Sequence, residues 1–417
     1  MKVVIVGQGY VGLPVAMRCN EVGYDVIGVE TDGLRLEALR AGRSYVEDID
    51  DATLSGALAS GRYTPTDDVA VASGFDVAVI TVPTPLRETL PDLSFIEAAA
   101  EQLAGQLGMG ATVILESTTY PGTTEEVVVP ILEKGSGLVA GRDFFVGYSP
   151  ERIDPGNARW GFVNTPKVVS GLDGPSLDRV SGFYGSLVDT VVPVKGLREA
   201  ELTKLLENTF RHVNIALVNE LAVFAHQLDV DVWDSIRAAS TKPFGFMPFW
   251  PGPGVGGHCL PVDPSYLSWQ LRRQLGTTFR FVELANDVND YMPRYVAQRA
   301  SALLNNRSLA VNGSRVLVLG LTYKKNTGDA RESPSFRIIE ELQQDGAIVF
   351  ALDSHLPDRL WPSAVARVER LEDALADADL VVLATDHDDV DYDRLTESGV
   401  PVLDTRGRLT GASVDPL

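Results

Sequence analysis

The sequence predicts two doubly wound α/β domains with parallel sheets, joined by a long central helix. In the first 90 residues, short apolar segments alternate with segments of helical spacing. A stretch of 33 residues that starts at Leu197 contains neither glycine nor proline. After about residue 306, the opening pattern of apolar segments returns in a weaker form. We therefore expect three regions, at 1–195, 196–305 and 306–417.

The first region begins with "KVVIVGQGYVG", an apolar strand that runs into a glycine turn. "LPVAMRCNEVG" then has helical spacing, and "YDVIGVE" is a second strand. "FDVAVITVPTP" and "ATVILESTTYPG" are further short strands that end in small polar residues and proline. Strands that are apolar along their whole length and are separated by helices indicate a parallel sheet covered on both faces.

The middle region is predicted to be helical, because leucine, valine and phenylalanine recur at helical spacing in "LREAELTKLLENTFRHVNIALVNELAVFAHQLD". The segment "PGPGVGGHCLPVDP" follows, and further helix extends to about Asn305. In the third region, "RVLVLGLTYKK", "AIVFALD" and "ADLVVLATDHD" repeat the order of the first three strands without the glycine triplet. We expect ligands at the carboxyl ends of the strands in both sheets.

The composition limits the classes of function. The net charge of −21 opposes general binding to nucleic acid, and no apolar run reaches the ~18 residues of a membrane span. The chain opens directly on a strand, so we expect no secretory signal. Its two cysteines, Cys19 and Cys259, cannot form a disulfide framework, which favours a reducing cytoplasm.

The segment "GQGYVG" predicts a dinucleotide site. Gly7, Gly9 and Gly12 form G-x-G-x-x-G between a strand and a helix, and Glu30 ends the second strand. The glycines permit a tight turn, an approach of pyrophosphate and close helix packing, while the acid can bind ribose hydroxyls. A carboxylate at this position would repel a 2′-phosphate, so NAD is favoured over NADP. The alternative is a glycine turn without a ligand.

Three interpretations of Cys259 remain open from the residues alone. It is a buried structural cysteine, a metal ligand beside His258, or a nucleophile that traps an aldehyde. Lys204 and Asn208 lie four residues apart on the long helix and share a face. They could hold a developing oxyanion, or form a solvated surface pair.

Several motifs occur in an order that resembles the nucleotide-sugar 6-dehydrogenase family, which includes UDP-glucose and UDP-N-acetylhexosamine 6-dehydrogenases. They are "GQGYVG", "VPTP", "EST", "SPERIDPGN", "KLLENTFRHVN", "PFGFMPFWPGPGVGGHCLPVDP" and "LTYKKNTGDARESP". The likeness covers nearly the whole chain and is greatest to the UDP-N-acetylglucosamine branch. It implies a Rossmann-like NAD-binding domain, a central helical domain that dimerises and a Rossmann-like UDP-binding domain.

The resemblance also implies a reaction, the oxidation of the sugar C6 alcohol to a carboxylate with two hydride transfers to NAD. Cys259 would form a thiohemiacetal and then a thioester, and Lys204 and Asn208 would hold the oxyanion. Asp263 would handle the alcohol proton through a water, and Glu151 would activate the hydrolytic water. Without the family, Asp263 could open a turn before Pro264, and Glu151 could be a surface acid.

The resemblance implies further binding residues. Thr118 would orient the hydrolytic water or Asp263, and it would also border the cofactor. The other cofactor contacts implied are Tyr10, Val11, Thr84 and Arg331, beside the glycines and Glu30. The substrate contacts implied, apart from Lys204 and Asn208, are Arg152, Arg211, Phe249, Gly256, Gly257 and Lys324. Gly254, Gly256 and Gly257 would let backbone amides approach the sugar.

A homodimer through the long helix is implied as well, with Lys242 reaching the partner's site. No metal, nucleic acid or membrane partner is expected. Glu116 of "EST" stands where many UDP-glucose enzymes carry lysine, and Glu30 stands where aspartate is commoner. Alternative substrates are UDP-glucose and UDP-N-acetylmannosamine. Alternative classes are a two-electron dehydrogenase that needs no cysteine and a non-catalytic sensor of nucleotides.

Overall fold

In the computed structural model the chain folds into two compact units, Met1–Glu207 and Asn208–Leu417. The structure describes every residue except 47, 88–89, 154–156, 158 and 258, and for residues 86, 259, 261 and 262 it describes only the backbone. The division into two units does not test the three predicted regions, whose boundaries stay a prediction.

The first unit is built on an eight-stranded sheet with the order β10-β9-β8-β7-β4-β1-β2-β3. Its strands are β1 (Lys2–Val6), β2 (Asp25–Val29), β3 (Tyr63–Thr66), β4 (Val77–Ile80), β7 (Thr112–Leu115), β8 (Phe145–Tyr148), β9 (Lys167–Gly171) and β10 (Val191–Pro193). A separate hairpin pairs β5 (Leu86–Arg87) with β6 (Leu90–Pro91). The central strands are buried along their length, as the apolar pattern predicted.

Helices cover both faces of this sheet, and two apolar cores lie on its two sides. The helices are α1 (Gly12–Glu21), α2 (Gly33–Arg40), α3 (Asp51–Ala59), α4 (Ser94–Ala104), α5 (Val129–Ser136) and α6 (Gly174–Gly185). Asp32, Asp50 and Asp173 start three of them, because each carboxylate accepts a hydrogen bond from a backbone amide of the first turn.

One strand pair of the first sheet departs from the parallel expectation. β8 and β9 pair antiparallel, whereas β1, β2, β3, β4, β7 and β8 are parallel to one another. A parallel pair needs a crossover, usually a helix, and none of the described residues between Tyr148 and Lys167 is helical. The chain therefore enters β9 directly, and β9 and β10 run in the opposite direction to the other strands of the sheet.

The long predicted helix is α7 (Leu197–Gln227), 31 residues in length. The second unit continues with α8 (Val232–Ser240), α9 (Cys259–Leu275) and α10 (Arg280–Asn306). Its six-stranded sheet has the order β13-β12-β11-β14-β15-β16, and all pairs are parallel. The strands are β11 (Arg315–Leu319), β12 (Ile348–Leu352), β13 (Ala366–Arg367), β14 (Leu380–Leu383), β15 (Val402–Asp404) and β16 (Val414–Pro416), with α11 (Pro334–Gln344), α12 (Leu371–Asp377) and α13 (Tyr392–Glu397).

The predicted fold class is confirmed: the chain forms two α/β units with one large sheet each, and a long helix lies between the two sheets in the sequence. The three strands that repeat the opening pattern are β11, β12 and β14, and they occupy the places of β1, β2 and β4 in the first sheet. Among the residues that the structure describes, no helix combines the length and the apolar character needed to cross a bilayer.

Candidate active site

The predicted site residues of the first unit lie along one edge of its sheet. Glu30 follows β2, Gly7 follows β1, Thr84 follows β4, Thr118 follows β7 and Glu151 follows β8. These five strands are neighbours and parallel, so their carboxyl ends meet at the same edge. Ligands of doubly wound sheets bind at this edge.

The three glycines of "GQGYVG" differ in what surrounds them. Gly7 has a φ of +92°, and a Cβ on it would lie 2.8 Å from the carbonyl oxygen of Thr81. A Cβ on Gly12 would lie 1.9 Å from the carbonyl oxygen of Gly7, so only glycine lets α1 start this close to β1. A Cβ on Gly9 would meet no protein atom within 4 Å. The first and third glycines are thus required by the fold, whereas the second leaves space for a ligand.

The carboxylate of Glu30 closes the other side of this turn. It is buried, and it accepts hydrogen bonds from the backbone amides of Gln8 (3.2 Å) and Asp32 (3.0 Å). Arg35 lies 4.0 Å from it, at the limit of an ion pair. The acid therefore stands next to the glycine turn, where a nucleotide ribose lies in dinucleotide-binding folds. The residues present fit NAD.

The other predicted cofactor contacts of the first unit surround the same edge. Tyr10 is exposed and Val11 is the residue before α1. Thr84 is buried, and Thr118 is half-buried after Ser117, whose hydroxyl donates to the carbonyl of Val82 (2.7 Å).

Lys204 and Glu151 are brought together although they lie 53 residues apart. The Lys204 ammonium is buried and donates to the carbonyl oxygen of Glu151 at 2.7 Å. The interpretation of Lys204 as a solvated surface residue, and that of Glu151 as a surface acid, are therefore both wrong. Arg152 is held by an ion pair with Glu207 (2.7 Å) and a hydrogen bond to the carbonyl of Pro166 (2.7 Å).

In the second unit, Asn208 and Asp263 are in direct contact. The Asn208 amide donates to the Asp263 carboxylate at 2.5 Å, and both side chains are buried. Asp263 lies within the first turns of α9, so its interpretation as a turn residue before Pro264 is wrong. Cys259 is the first residue of α9. Its side chain lies outside the described residues, as does His258.

The glycines before Cys259 have a structural reason that the sequence did not reveal. A Cβ on Gly256 would lie 2.5 Å from Cβ of Tyr323, and one on Gly257 would lie 2.9 Å from the Tyr323 ring. The amide of Gly257 donates to the carbonyl of Arg331 at 2.8 Å. These glycines therefore press against the segment that follows β11, which includes the motif "LTYKKNTGDARESP". The expectation that glycine amides face the sugar stays a prediction.

A buried polar network, which the sequence reasoning missed, holds the glycine-proline segment before Cys259 to the helices α7 and α10. The Asn219 side chain of α7 accepts from the amide of Gly252 (2.9 Å) and donates to Asn289 of α10 (2.9 Å). His212 of α7 contacts Asn286 of α10 at 2.7 Å. Burial lowers the pKa of His212, which keeps the imidazole neutral within this network. The signal available in sequence was only the helical spacing of these polar residues.

The remaining predicted contacts lie in the second unit. Arg211 is exposed on α7, and the Phe249 ring packs edge-on against Phe210 with 5.6 Å between centroids. Lys324 is half-buried, and its carbonyl accepts from the hydroxyls of Thr322 and Thr327, each at 3.1 Å. The Arg331 guanidinium is exposed and pairs with Asp329 at 2.6 Å.

Two further groups bear on the alternatives. Cys19 is buried in α1, and burial raises the pKa of its thiol, so it acts as packing as expected. His355, His387 and Asp389 place possible metal-ligand atoms within 4.8 Å of one another. However, Nδ1 of His387 accepts from the amide of Asn326 (2.9 Å), and its Nε2 lies 3.1 Å from Asp353. Both ring nitrogens are thus already used within the fold.

Family models match most of the chain. Residues 1–188 match the NAD binding domain of the UDP-glucose/GDP-mannose dehydrogenase family, residues 198–291 match its central domain, and residues 317–411 match its UDP binding domain.

Individual relatives cover nearly the full length. A protein of Pyrococcus horikoshii named UDP-N-acetyl-D-mannosamine dehydrogenase is 35% identical over 93% of this chain and 90% of its own. A Pseudomonas aeruginosa protein named UDP-N-acetyl-D-glucosamine 6-dehydrogenase is 38% identical over 82% of this chain and 80% of its own. A solved structure described as the UDP-N-acetylmannosamine dehydrogenase of Pyrococcus horikoshii superposes with a TM-score of 0.91 at 33% identity, covering 100% of this chain and 99% of that one.

Proposed function

The chain belongs to the UDP-glucose/GDP-mannose dehydrogenase family and is an NAD-dependent nucleotide-sugar dehydrogenase, and from this premise we propose that it oxidises C6 of UDP-N-acetylglucosamine to a carboxylate. The contact between Asn208 and Asp263 carries the proposal, because it puts an amide and a buried carboxylate at the start of the helix that begins with Cys259. A two-electron dehydrogenase could use the carboxylate as a base but needs no cysteine beside it.

The chain's own residues have distinct roles in this reaction. NAD, when bound, accepts one hydride from C6 in each oxidation. Gly9 leaves room for its pyrophosphate at the start of α1, where the helix N-terminus favours an anion, and Gly7 and Gly12 shape the turn that brings it there. Glu30 binds the ribose. Tyr10, Val11, Thr84, Thr118 and Arg331 make the further contacts.

Cys259 forms the covalent bond to the substrate. Asp263 accepts the proton of the C6 alcohol through a water, and the sulfur of Cys259 adds to the resulting aldehyde. After the second oxidation, C6 and the sulfur form a thioester. Lys204 and Asn208 stabilise the oxyanion as a cation and an amide one helical turn apart. Glu151 takes a proton from the water that replaces the sulfur, and the carboxylate product leaves.

Further residues contact the substrate. The UDP portion is assigned to the second unit, through Lys324 and the segment after β11. Arg152, Arg211 and Phe249 contact the sugar or its phosphates. UDP-N-acetylmannosamine is the second candidate substrate, since the Pyrococcus horikoshii relative with that name covers the larger share of the chain. We also propose a homodimer through α7.

The proposal is tested by NADH formation at 340 nm with UDP-N-acetylglucosamine, UDP-N-acetylmannosamine and UDP-glucose in parallel, with the product mass recorded. Two NADH per sugar and a new carboxylate on UDP-N-acetylglucosamine are expected. One NADH per sugar would refute the thioester. Cys259→Ser is expected to abolish acid formation, and Cys19→Ser, the matched control in the packing cysteine, is expected to retain it.

A further inference from the structure

A cluster of buried charges lies beside Glu151. Lys167 is the first residue of β9, and its ammonium contacts two carboxylates, a very close one from Glu116 after β7 and that of Glu151 at 3.3 Å. The Lys167, Glu116 and Glu151 side chains are 4%, 0% and 10% exposed, so water screens this interaction little. No role in the reaction has yet been assigned to Lys167 or Glu116.

The contacts fix the orientation of the Glu151 carboxylate. One oxygen accepts the backbone amides of Arg152 (2.6 Å) and Ile153. The other oxygen faces Lys167. Lys204 holds the carbonyl of the same residue at 2.7 Å. Lys204 of α7 thus holds the backbone of Glu151, and Lys167 of β9 and two neighbouring amides hold its side chain, which is how a reactive group is kept in one geometry.

Glu116 is balanced in a different way. Its second oxygen accepts the hydroxyl of Tyr184 from α6 at 2.7 Å. Burial raises the pKa of Glu116 to about 7; Lys167 opposes the rise, and the neighbouring Glu151 carboxylate adds to it. The Cys19 thiol of α1 also faces Glu116, and burial raises the pKa of that thiol and of Tyr184, so both stay neutral. When the pH falls, Glu116 takes a proton before Glu151.

Glu151 remains ionised in the same cluster. Burial works against its charge, but Lys167, a hydrogen bond with the Glu116 side chain, the backbone amide of Ile153 and Lys204 together outweigh burial, and the pKa of Glu151 is lowered. The two carboxylates in turn raise the pKa of Lys167, which keeps the ammonium charged despite its burial. The rings of Phe162 and Tyr184, 5.5 and 5.2 Å from the ammonium, complete its surroundings.

We propose that Lys167 and Glu116 are positioning residues for the hydrolytic step, with Lys167 holding Glu151 as an oriented carboxylate and Glu116 anchoring Lys167. The inference rests on the proposed function of Glu151. In that step the water oxygen bonds to C6, the bond between C6 and sulfur breaks, and the sulfur leaves as a thiolate. One water proton goes to Glu151, which can accept it only while it is ionised.

The test compares Lys167→Met with the wild-type enzyme in quenched reactions, with the thioester followed by intact-protein mass spectrometry. Removing the ammonium raises the pKa of Glu151. We expect hydrolysis at pH 7 to slow about 100-fold, thioester to accumulate, and the acid limb of the pH profile to move up by more than about one unit. Lys167→Arg keeps the charge and should restore the profile. Lys134→Met, a control in an exposed lysine of α5, should leave it unchanged.

A double variant separates positioning from simple charge balance. Lys167→Met combined with Glu116→Gln removes both members of the close pair, so the Glu116 carboxylate is not left buried without its ammonium, while Glu151 still lacks Lys167. We expect this variant to recover part of the folding stability lost in Lys167→Met but to hydrolyse the thioester slowly. Normal hydrolysis in the double variant, or an unshifted pH profile in Lys167→Met, would overturn the inference.

A measurement without substrate keeps the inference apart from the proposed function. A wild-type enzyme that forms no thioester refutes the function, and the coupling between Lys167 and Glu151 is then read from unfolding free energies of Lys167→Met, Glu151→Gln and the double variant. The pKa of Glu151 is lowered in the folded state, so its stabilising contribution is present above about pH 4.5 and is lost as the pH falls through the folded value. The coupling energy between Lys167 and Glu151 should follow this pH dependence. If no coupling energy is measured at pH 7, the inference is overturned.

Discussion

Two glycines of the dinucleotide turn give a matched pair of variants. Gly12→Ala puts a methyl group 1.9 Å from the carbonyl oxygen of Gly7, which Gln8 and Thr81 hold by hydrogen bonds, whereas Gly9→Ala meets no protein atom within 4 Å. We expect Gly12→Ala to lose about 1–3 kcal/mol of unfolding free energy. Gly9→Ala should stay within about 0.5 kcal/mol of wild type and instead raise KM for NAD. Urea unfolding and NADH kinetics measure both. Equal loss of stability in the two variants would contradict the assignment of Gly9 to the ligand.

We expect Glu30 to set the choice between NAD and NADP by its charge. Its carboxylate is held on the amides of Gln8 and Asp32, so it cannot swing away from a 2′-phosphate without breaking these bonds. Glu30→Gln keeps the size and removes the charge. We expect the ratio of kcat/KM for NAD to that for NADP to fall about tenfold. Glu37→Gln, an exposed acid of α2, is the control. An unchanged ratio in Glu30→Gln would show that the charge does not select the cofactor.

The side-chain amide of Asn219 on α7 supports the segment that leads to Cys259. Asn219 joins the Gly252 amide to Asn289, so the path of the glycine-proline segment depends on a buried side chain of the helix. We expect Asn219→Ala to leave the Gly252 amide unpaired, at a cost of about 1–3 kcal/mol in unfolding free energy. KM for the nucleotide sugar should rise more than KM for NAD, since the NAD turn lies on another sheet. These quantities follow from denaturation curves and steady-state assays.

Asn306, the exposed last residue of α10, provides the control for that variant. Asn306→Ala is also an asparagine-to-alanine change in a helix, but it touches no part of the network. It should behave as wild type in both measurements. A rise in KM for NAD as large as that for the sugar in Asn219→Ala would contradict a local effect on the glycine-proline segment.

The two sheets show how one strand-turn arrangement serves different ligands. Gly7-Gln8-Gly9-Tyr10 after β1 corresponds to Gly320-Leu321-Thr322-Tyr323 after β11. The first glycine keeps a positive φ in both, +92° and +86°. In the second copy the amides of both Leu321 and Thr322 donate to Asp353, at 2.6 and 3.1 Å. The bond from Leu321 matches that from Gln8 to Glu30 in the first copy, whereas Thr322, whose amide is also bonded, stands in place of the glycine that leaves space for a pyrophosphate.

Local sequence rules predicted much of the molecule. The strands β1, β2, β4, β7, β11, β12 and β14 and the helix α7 were predicted from short-range periodicity, because each is apolar at the spacing of its own element. The glycine turn was predicted from a motif whose reason is local geometry. The antiparallel pairing of β9 with β8 was not predicted, because it depends on the path of the chain between these two strands.

The parts of the candidate site that sequence reasoning missed are tertiary contacts. Lys167 lies in an ordinary apolar strand, and only the folded sheet puts it against Glu116 and Glu151. Gly256 was expected to face the sugar, but the atom that excludes a side chain there belongs to Tyr323, which is 67 positions later in the chain. A contact between two residues that are so far apart in the chain cannot be recognised from a single sequence.

The exposed face of α7 predicts the assembly of the whole molecule. Its large apolar side chains recur at intervals of seven, four, three and four residues, which places them on one side of the helix. They are Phe210, Leu217, Leu221 and Phe224, followed by Leu228 directly after the end of the helix, with 46%, 53%, 46%, 52% and 73% of their surfaces exposed. A stripe of this length on a helix is typical of an interface, and a second copy of the same helix is its natural complement.

We therefore expect the wild-type chain to sediment as a dimer and Leu217→Arg combined with Leu221→Arg to sediment as a monomer. In a dimer, the two guanidinium groups of one copy would be buried against those of the other copy. The contacts of the stripe do not offset the free-energy cost of burying these charges. Leu34→Arg is the control, because Leu34 is 81% exposed but stands on α2, away from the stripe. Analytical ultracentrifugation over a range of concentrations gives the masses. A wild-type monomer, or a dimer that survives both arginines, would mean that α7 is not the dimer interface.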